Sequence, residues 1–251
     1  MSTSTFGFTS QPAEASQTEA PGAAAHSKVR WLELGLVLLV TILPSIVSSV
    51  FTLHVGKPIE GVSSARYVLG WLHQAGGLCL LGYVLHRSGR GFQSIGLHFA
   101  VRGVGVGLLV LLWAYLLNVV VRISISPVIK SLAGIGFAHR DMSGLFTIAS
   151  PGILVIYLLV NAWYEELIAR AYFMTELTAL TGSAWLAVVL STIVQASYHL
   201  YQGWYNAFSV GLIFFAYSLY YAKTRNIFPV IVAHTLQDLV AGLIYWHRLH
   251  R

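Results

Sequence analysis

Long apolar runs, separated by short connections that contain polar residues or glycine, make up most of the chain from Trp31 onwards. Each run approaches the ~20 residues that an α-helix needs to cross a bilayer. Seven such helices are predicted, near Trp31–Leu53, Arg66–Leu85, Val104–Val121, Ile153–Leu177, Trp185–Leu200, Ala207–Tyr221 and Ile227–Trp246. The pattern is typical of an all-α, polytopic membrane protein.

An eighth span is possible between the third and fourth runs. The segment from Ile123 to Ser150 could be a short span, a re-entrant piece or an interfacial helix. With eight spans and a cytoplasmic N-terminus, nine Lys and Arg residues lie inside and five outside, whereas seven spans divide them equally. The positive-inside rule therefore favours eight spans with both ends in the cytoplasm.

Composition agrees with a membrane protein, since 56% of the 251 residues are hydrophobic, 10% are charged and the mean hydropathy is +0.70. The net charge of +6 comes mostly from the connections, where insertion and anionic lipid headgroups account for it. We expect membrane lipid as a partner and no nucleic acid. A single cysteine, Cys79, excludes an intramolecular disulfide and a cysteine-based metal site.

The first 27 residues differ from the rest of the chain. They are rich in Ser, Thr, Ala, Gln and Gly, and they lack the apolar core of a signal peptide and the arginines of a transit peptide. We expect residues 1–27 to form a disordered tail and residues 28–251 to form a single transmembrane domain.

Charged residues inside the predicted spans need a reason. A carboxylate at the centre of a spanning helix costs about 2.5 to 3.5 kcal/mol, so it requires a partner, a hydrated cavity or a function. Glu166 and Arg170 are four residues apart and can pair on one helical face, which alone could be a packing device. Glu165 points about 100° away from Glu166 and needs another partner.

Two later helices offer partners. His199 follows Gln195 by one turn, and His234 precedes Asp238 by one turn. A single histidine of this kind more often has a structural role. Two glutamates, two histidines and an aspartate on three spans instead predict a polar cavity formed by the C-terminal helices. His73 and Gln74 share a span with no acid, so we interpret them as an interhelical hydrogen-bonding feature.

These residue types suit hydrolysis by activated water. A carboxylate in a low-dielectric site can act as a general base, and an imidazole can orient the water or stabilise an oxyanion. The sequence has no nucleophile elbow, no HExxH motif and no phosphate-binding glycine loop.

Three motifs resemble those of the CAAX protease and bacteriocin-processing (CPBP or Abi) family. EELIAR matches EExxxR, YHLYQGW resembles the region of FxxxH, and AHTLQD matches HxxxN or HxxxD. They occur in the family's order between Tyr164 and Asp238, which gives a family core at about 151–246. GFQSIGL, Gly91 to Leu97, also resembles a segment that precedes the core in many bacterial members.

The resemblance implies an intramembrane glutamic endopeptidase without a cofactor, in the bacterial inner (plasma) membrane. Its substrate would be a peptide or a membrane protein, prenylated or not. The implied roles are a general base (Glu165), a partner on the water (His199), a supporting pair (Glu166 and Arg170) and an oxyanion side (His234 and Asp238). Gln195 departs from the family, which has phenylalanine there.

Two alternatives remain open. Carboxylates and imidazoles also suit zinc, which would make the protein a metal-dependent membrane protease. The chain could instead be a non-catalytic membrane scaffold or a bacteriocin self-immunity protein, roles also attached to this family.

Overall fold

The computed structural model describes residues 21–55, 63–132 and 151–249. Nearly all of these residues are helical and none lies in a strand, which confirms the all-α prediction. The α-helices are α1 (Pro21–Thr41), α2 (Leu43–Val55), α3 (Ser64–Arg87), α4 (Val101–Ser124), α5 (Ser126–Leu132), α6 (Pro151–Glu165), α7 (Phe173–Thr181), α8 (Ala184–Tyr198), α9 (Trp204–Thr224) and α10 (Phe228–Leu249).

The first predicted span is two helices rather than one. The chain bends by 44° between α1 and α2. Helix α1 begins at Pro21, so the structure corrects the last seven residues of the predicted tail, which are helical. Residues 1–20 of that tail lie outside the described residues, as does most of the segment Ile123–Ser150 beyond the short helix α5.

The fourth predicted span is a continuous helix with an unusual middle. Helices α6 and α7 are joined by the π-helical segment Glu166–Tyr172, which begins at the second glutamate of the pair. A π-turn widens the helix locally, and such turns are often found at functional sites. The expected pairing of Glu166 with Arg170 is therefore made within a π-helix.

Three helical segments in the described part of the chain are long and apolar enough to cross a membrane: Ala65–Arg87, Val101–Ser124 and Gly152–Thr181. The bent pair α1–α2 would add a fourth if it counts as one span. Helix α8 and the first part of α10 are apolar but shorter. On this measure the structure gives three to four spans, and the expected seven to eight stay a prediction.

Close contact between α4 and α10 depends on two glycines spaced like a small-xxx-small motif. A Cβ atom on Gly103 would lie 2.7 Å from the Phe228 ring. A Cβ atom on Gly107 would lie 2.8 Å from both the Pro229 carbonyl oxygen and the Val232 side chain. This contact fixes the helix that carries His234 and Asp238.

The segment Gly91–Leu97 packs against the turn between α9 and α10. Gly96 has a φ of +82°, and a Cβ atom there would lie 2.2 Å from the Arg225 carbonyl oxygen. The Gly96 carbonyl accepts a hydrogen bond from the Ile227 amide at 2.9 Å. The segment thus fastens the end of the bundle from which α10 starts.

The buried carboxylate of Glu176 on α7 binds two arginines. It pairs with Arg30 of α1 at 2.7 Å and with Arg90, which precedes the Gly91–Leu97 segment. These ion pairs connect α7 to α1 and to the start of the Gly91–Leu97 segment. Glu176, a third acid among the apolar helices, therefore has a structural role.

Candidate active site

The second glutamate of the pair lies in a closed ionic network. Glu166 and Arg170 form an ion pair, and both side chains are fully buried. His234 of α10 donates a hydrogen bond from Nδ1 to Glu166 Oε1 at 2.8 Å, because a carboxylate can only accept. The EExxxR segment is thereby tied to α10.

Arg170 has further partners on α8 and α9. It donates to Gln195 Oε1 at 2.9 Å and to Ser218 Oγ at 3.2 Å, and its guanidinium lies 5.5 Å from the ring centroids of Phe214 and Tyr217. The glutamine that replaces the family's phenylalanine is therefore fully buried and serves as an acceptor for this arginine. Its Nε2 in turn donates to Ser191 Oγ at 3.1 Å.

Glu165 has different partners, as the helical geometry predicts. Its Oε1 accepts a hydrogen bond from Asn161 Nδ2 at 2.8 Å, and its Oε2 accepts one from the Tyr198 hydroxyl at 2.9 Å. Each carboxylate oxygen has two lone-pair directions, so each can accept a second donor. The Glu165 side chain is thus held in place while it can still bind a water molecule.

A cavity of about 230 Å³ lies beside Glu165. It is large enough for several water molecules, each of which takes about 30 Å³ in the liquid. The residues that line it are Ile42, Ser45, Gly70, His73, Gln74, Tyr157, Asn161, Tyr164, Glu165 and Tyr198.

Half of these lining residues come from the N-terminal helices, at the α1–α2 bend and on α3. The C-terminal helices α6 and α8 thus form one half of the cavity, as predicted, and the N-terminal helices form the half that was not predicted. Side chains of α3 reach across to α6, where Gln74 Nε2 donates to Asn161 Oδ1 at 2.9 Å and His73 Nε2 lies 3.2 Å from the Tyr164 hydroxyl. These contacts also confirm the interhelical role predicted for His73 and Gln74.

The two site histidines flank one aromatic ring. His199 and His234 each pack edge-to-face on Phe214, with ring centroids 5.1 Å and 5.2 Å away. His199 donates from Nδ1 to the Gln195 carbonyl at 2.9 Å, which leaves Nε2 as its second polar atom. Asp238 lies 3.6 Å from His234 Nε2, on the side away from Glu166.

The structure thus divides the six predicted site residues into connected groups. Glu166, Arg170, His234 and Asp238 form one chain of polar contacts, and Phe214 links His234 to His199. Glu165 is the member of the six that lines the cavity among the described residues.

Several residues at the site were not predicted from the sequence. Asn161 precedes Glu165 by four residues, and this spacing alone could have suggested it. Tyr198 and Phe214 carry no comparable signal, because their contacts depend on how α8 and α9 pack against the π-helical segment.

No group of three or more His, Cys, Asp or Glu side chains in the described ranges is arranged to hold a metal ion.

The described part of the chain is all-helical and contains apolar helices long enough to cross a membrane. Its site combines a buried network of Glu166, Arg170 and His234 with Glu165 beside a cavity. Residues 147–240 match a family model described as type II CAAX prenyl endopeptidase Rce1-like. This match confirms, for just over a third of the chain, the predicted resemblance to the CAAX protease and bacteriocin-processing family. The matched segment contains all six predicted site residues, and its family is a family of proteases.

No curated protein and no solved structure matches the chain.

Proposed function

We propose that the protein is an intramembrane endopeptidase in which Glu165 activates water. The observation that supports this most directly is that Glu165 lines a cavity while two donors hold its carboxylate. In the proposed reaction Glu165 accepts a proton from water, and the hydroxide attacks the carbonyl carbon of the peptide bond. The proton then passes to the leaving amine, so general acid–base catalysis needs no covalent intermediate.

His199 is proposed to be the second group on the water. Its Nδ1 donates to the Gln195 carbonyl, so the neutral ring presents an acceptor at Nε2. That acceptor would take the water's other hydrogen and orient the molecule for attack. We expect His199→Ala, like a substitution of Glu165, to abolish cleavage.

The network of Glu166, Arg170 and His234 is proposed to support the reaction without contact with the water molecule. It fixes the π-helical segment against α10, and so it fixes the backbone next to Glu165. His234 and Asp238 are proposed to line the side of the site on which the oxyanion develops.

The substrate is proposed to be a peptide segment at or within the membrane. The family description and the apolar helices support a membrane peptidase of the CAAX type. The proposal also includes further membrane spans beyond the long apolar helices, a prenyl group on the substrate and a location in a bacterial inner membrane. No cofactor is assigned.

A comparison of membrane-protein termini between cells with the wild-type protein and cells with Glu165→Ala tests the proposal. Termini that depend on proteolysis by this protein should disappear in the variant. Glu33→Ala is the control for the loss of a carboxylate, because Glu33 pairs with Arg87 and does not line the cavity. Identical termini in all three strains would contradict the proposed proteolysis. If cells with Glu165→Ala also behave like cells with the wild-type protein, the scaffold or immunity role is favoured.

A further inference from the structure

We propose that Gln74 is a positioning residue for the Glu165 carboxylate and that it acts through Asn161. This inference rests on the proposed role of Glu165 as general base. It adds a residue from α3, outside the matched family segment, to the site.

The direction of each hydrogen bond in this relay is fixed by the carboxylate. Glu165 Oε1 can only accept, so Asn161 must turn its amide nitrogen towards it. The other end of the same carboxamide, Asn161 Oδ1, must then accept, and it receives Gln74 Nε2 at 2.9 Å. The three side chains therefore have one consistent arrangement of donors and acceptors.

The Gln74 carboxamide has one hydrogen-bonding partner on the described part of the chain. Gln74 is 4% exposed, and its Oε1 has no hydrogen-bond partner among the described residues. Among the described residues, the bond to Asn161 is therefore the contact that orients the Gln74 carboxamide. Its amide nitrogen donates to Asn161, and this bond holds Asn161 in the orientation in which it donates to Glu165.

The position of the relay also suits this role. Gln74, Asn161 and Glu165 all line the cavity, and Gln74 is the outermost of the three along the chain of hydrogen bonds. Because α3 packs against α6, a side chain on α3 can hold the rotamer of a residue on α6 without touching the reacting atoms. A loosely held base loses catalytic effect even if it is present.

Chemical labelling of Glu165 tests the relay without requiring cleavage. Dicyclohexylcarbodiimide is an apolar reagent that modifies carboxyl groups in membranes, and mass spectrometry of the purified, detergent-solubilised protein can distinguish Glu165 from the buried Glu166. Gln74→Met removes the donor and releases Asn161. Gln74→Glu places an acceptor against Asn161 Oδ1, which reverses the amide and repels Glu165.

We expect faster labelling of Glu165 in both variants, by about two- to tenfold, the range that corresponds to one hydrogen bond. Gln74→Glu should have the larger effect. Gln93→Glu is the matched control, because Gln93 is exposed and does not line the cavity, and it should label at the wild-type rate. Thermal unfolding of each protein should show that Gln74→Met remains folded, which keeps the test valid if the buried charge of Gln74→Glu prevents folding.

Equal labelling of Glu165 in the wild type and in folded Gln74→Met, including no labelling in either, would overturn the relay. If labelling responds, cleavage by Gln74→Met should show a lower kcat with an unchanged KM. A labelling response in a protein that cleaves no peptide would instead refute the proposed function and leave the relay standing.

Discussion

Among single residues, Arg170 is a fully enclosed charge, as is its partner Glu166. It is fully buried and joins an anion, a glutamine, a serine and two aromatic rings. A guanidinium out of water is tolerated when its donors are satisfied and an opposite charge lies close by. This enclosure is the basis for the supporting role proposed for Arg170.

Removal of one partner of the Glu166–Arg170 pair should therefore be costly. We expect Arg170→Met to lower the free energy of unfolding by about 3 to 5 kcal/mol, because the buried Glu166 carboxylate loses its compensating charge. Glu166→Gln together with Arg170→Met should recover much of this loss, while activity stays low. A thermal-unfolding double-mutant cycle in detergent, next to a cleavage assay, measures both effects.

Additive losses in that cycle would show that the two side chains do not stabilise each other. Arg170 would then have to be reconsidered as a residue that binds substrate.

Some contacts of the site residues could be predicted from the sequence. The spacing of Glu166 and Arg170 predicted their pairing, and the 100° offset of Glu165 predicted that it needs separate partners. The four-residue spacing could have suggested one of these partners, Asn161, but not Tyr198, which belongs to another helix. Gln195 was recognised as a departure from the family, but its contact with Arg170 required the structure.

At the scale of elements, most helix positions follow from the apolar runs, and two features do not. The bend between α1 and α2 and the π-helical segment Glu166–Tyr172 both interrupt runs that are continuous in hydropathy. Hydropathy reports burial in lipid or protein but not the local helical pitch. The site lies where these two irregular features approach α3 and α8.

Two glycines of α4 provide a test of the packing that fixes α10. Gly107→Ala should destabilise the protein by about 1 to 3 kcal/mol, because the new Cβ atom would clash with the backbone and side chain of α10. Gly105→Ala is the matched control on the same helix, since a Cβ atom there has no neighbour within 4 Å. Alanine favours the helix over glycine, so the control should be neutral or slightly stabilising.

Thermal unfolding of the two variants in detergent makes this comparison. Equal stability of Gly107→Ala and Gly105→Ala would contradict the close approach of α4 and α10.

At the scale of the whole molecule, the cavity joins the two halves of the chain. The sequence placed all the polar chemistry in the last third, because the acids and the motif histidines are there. The structure adds a wall from the α1–α2 bend and α3, which has no Asp, Glu, Lys or Arg at the cavity and so gave no charge signal. Neutral polar residues such as Gln74 reveal their role only when their neighbours are known.

The effect of metal removal on activity distinguishes water activation by protein groups from water activation by zinc. If protein groups alone activate the water, a rigorously metal-free preparation in detergent should keep its activity, because no metal is needed to lower the pKa of the water. The measurement is cleavage before and after chelation. Reversible loss, restored by stoichiometric zinc, would establish the metalloprotease alternative.

A comparison of purified wild type with Glu165→Gln tests whether Glu165 is the general base. This substitution keeps the shape of the side chain and removes its ability to accept a proton. Single-turnover cleavage should fall by about 10²- to 10⁴-fold with little change in the unfolding temperature, while Glu33→Gln should cleave like wild type. Wild-type cleavage by folded Glu165→Gln would contradict the account.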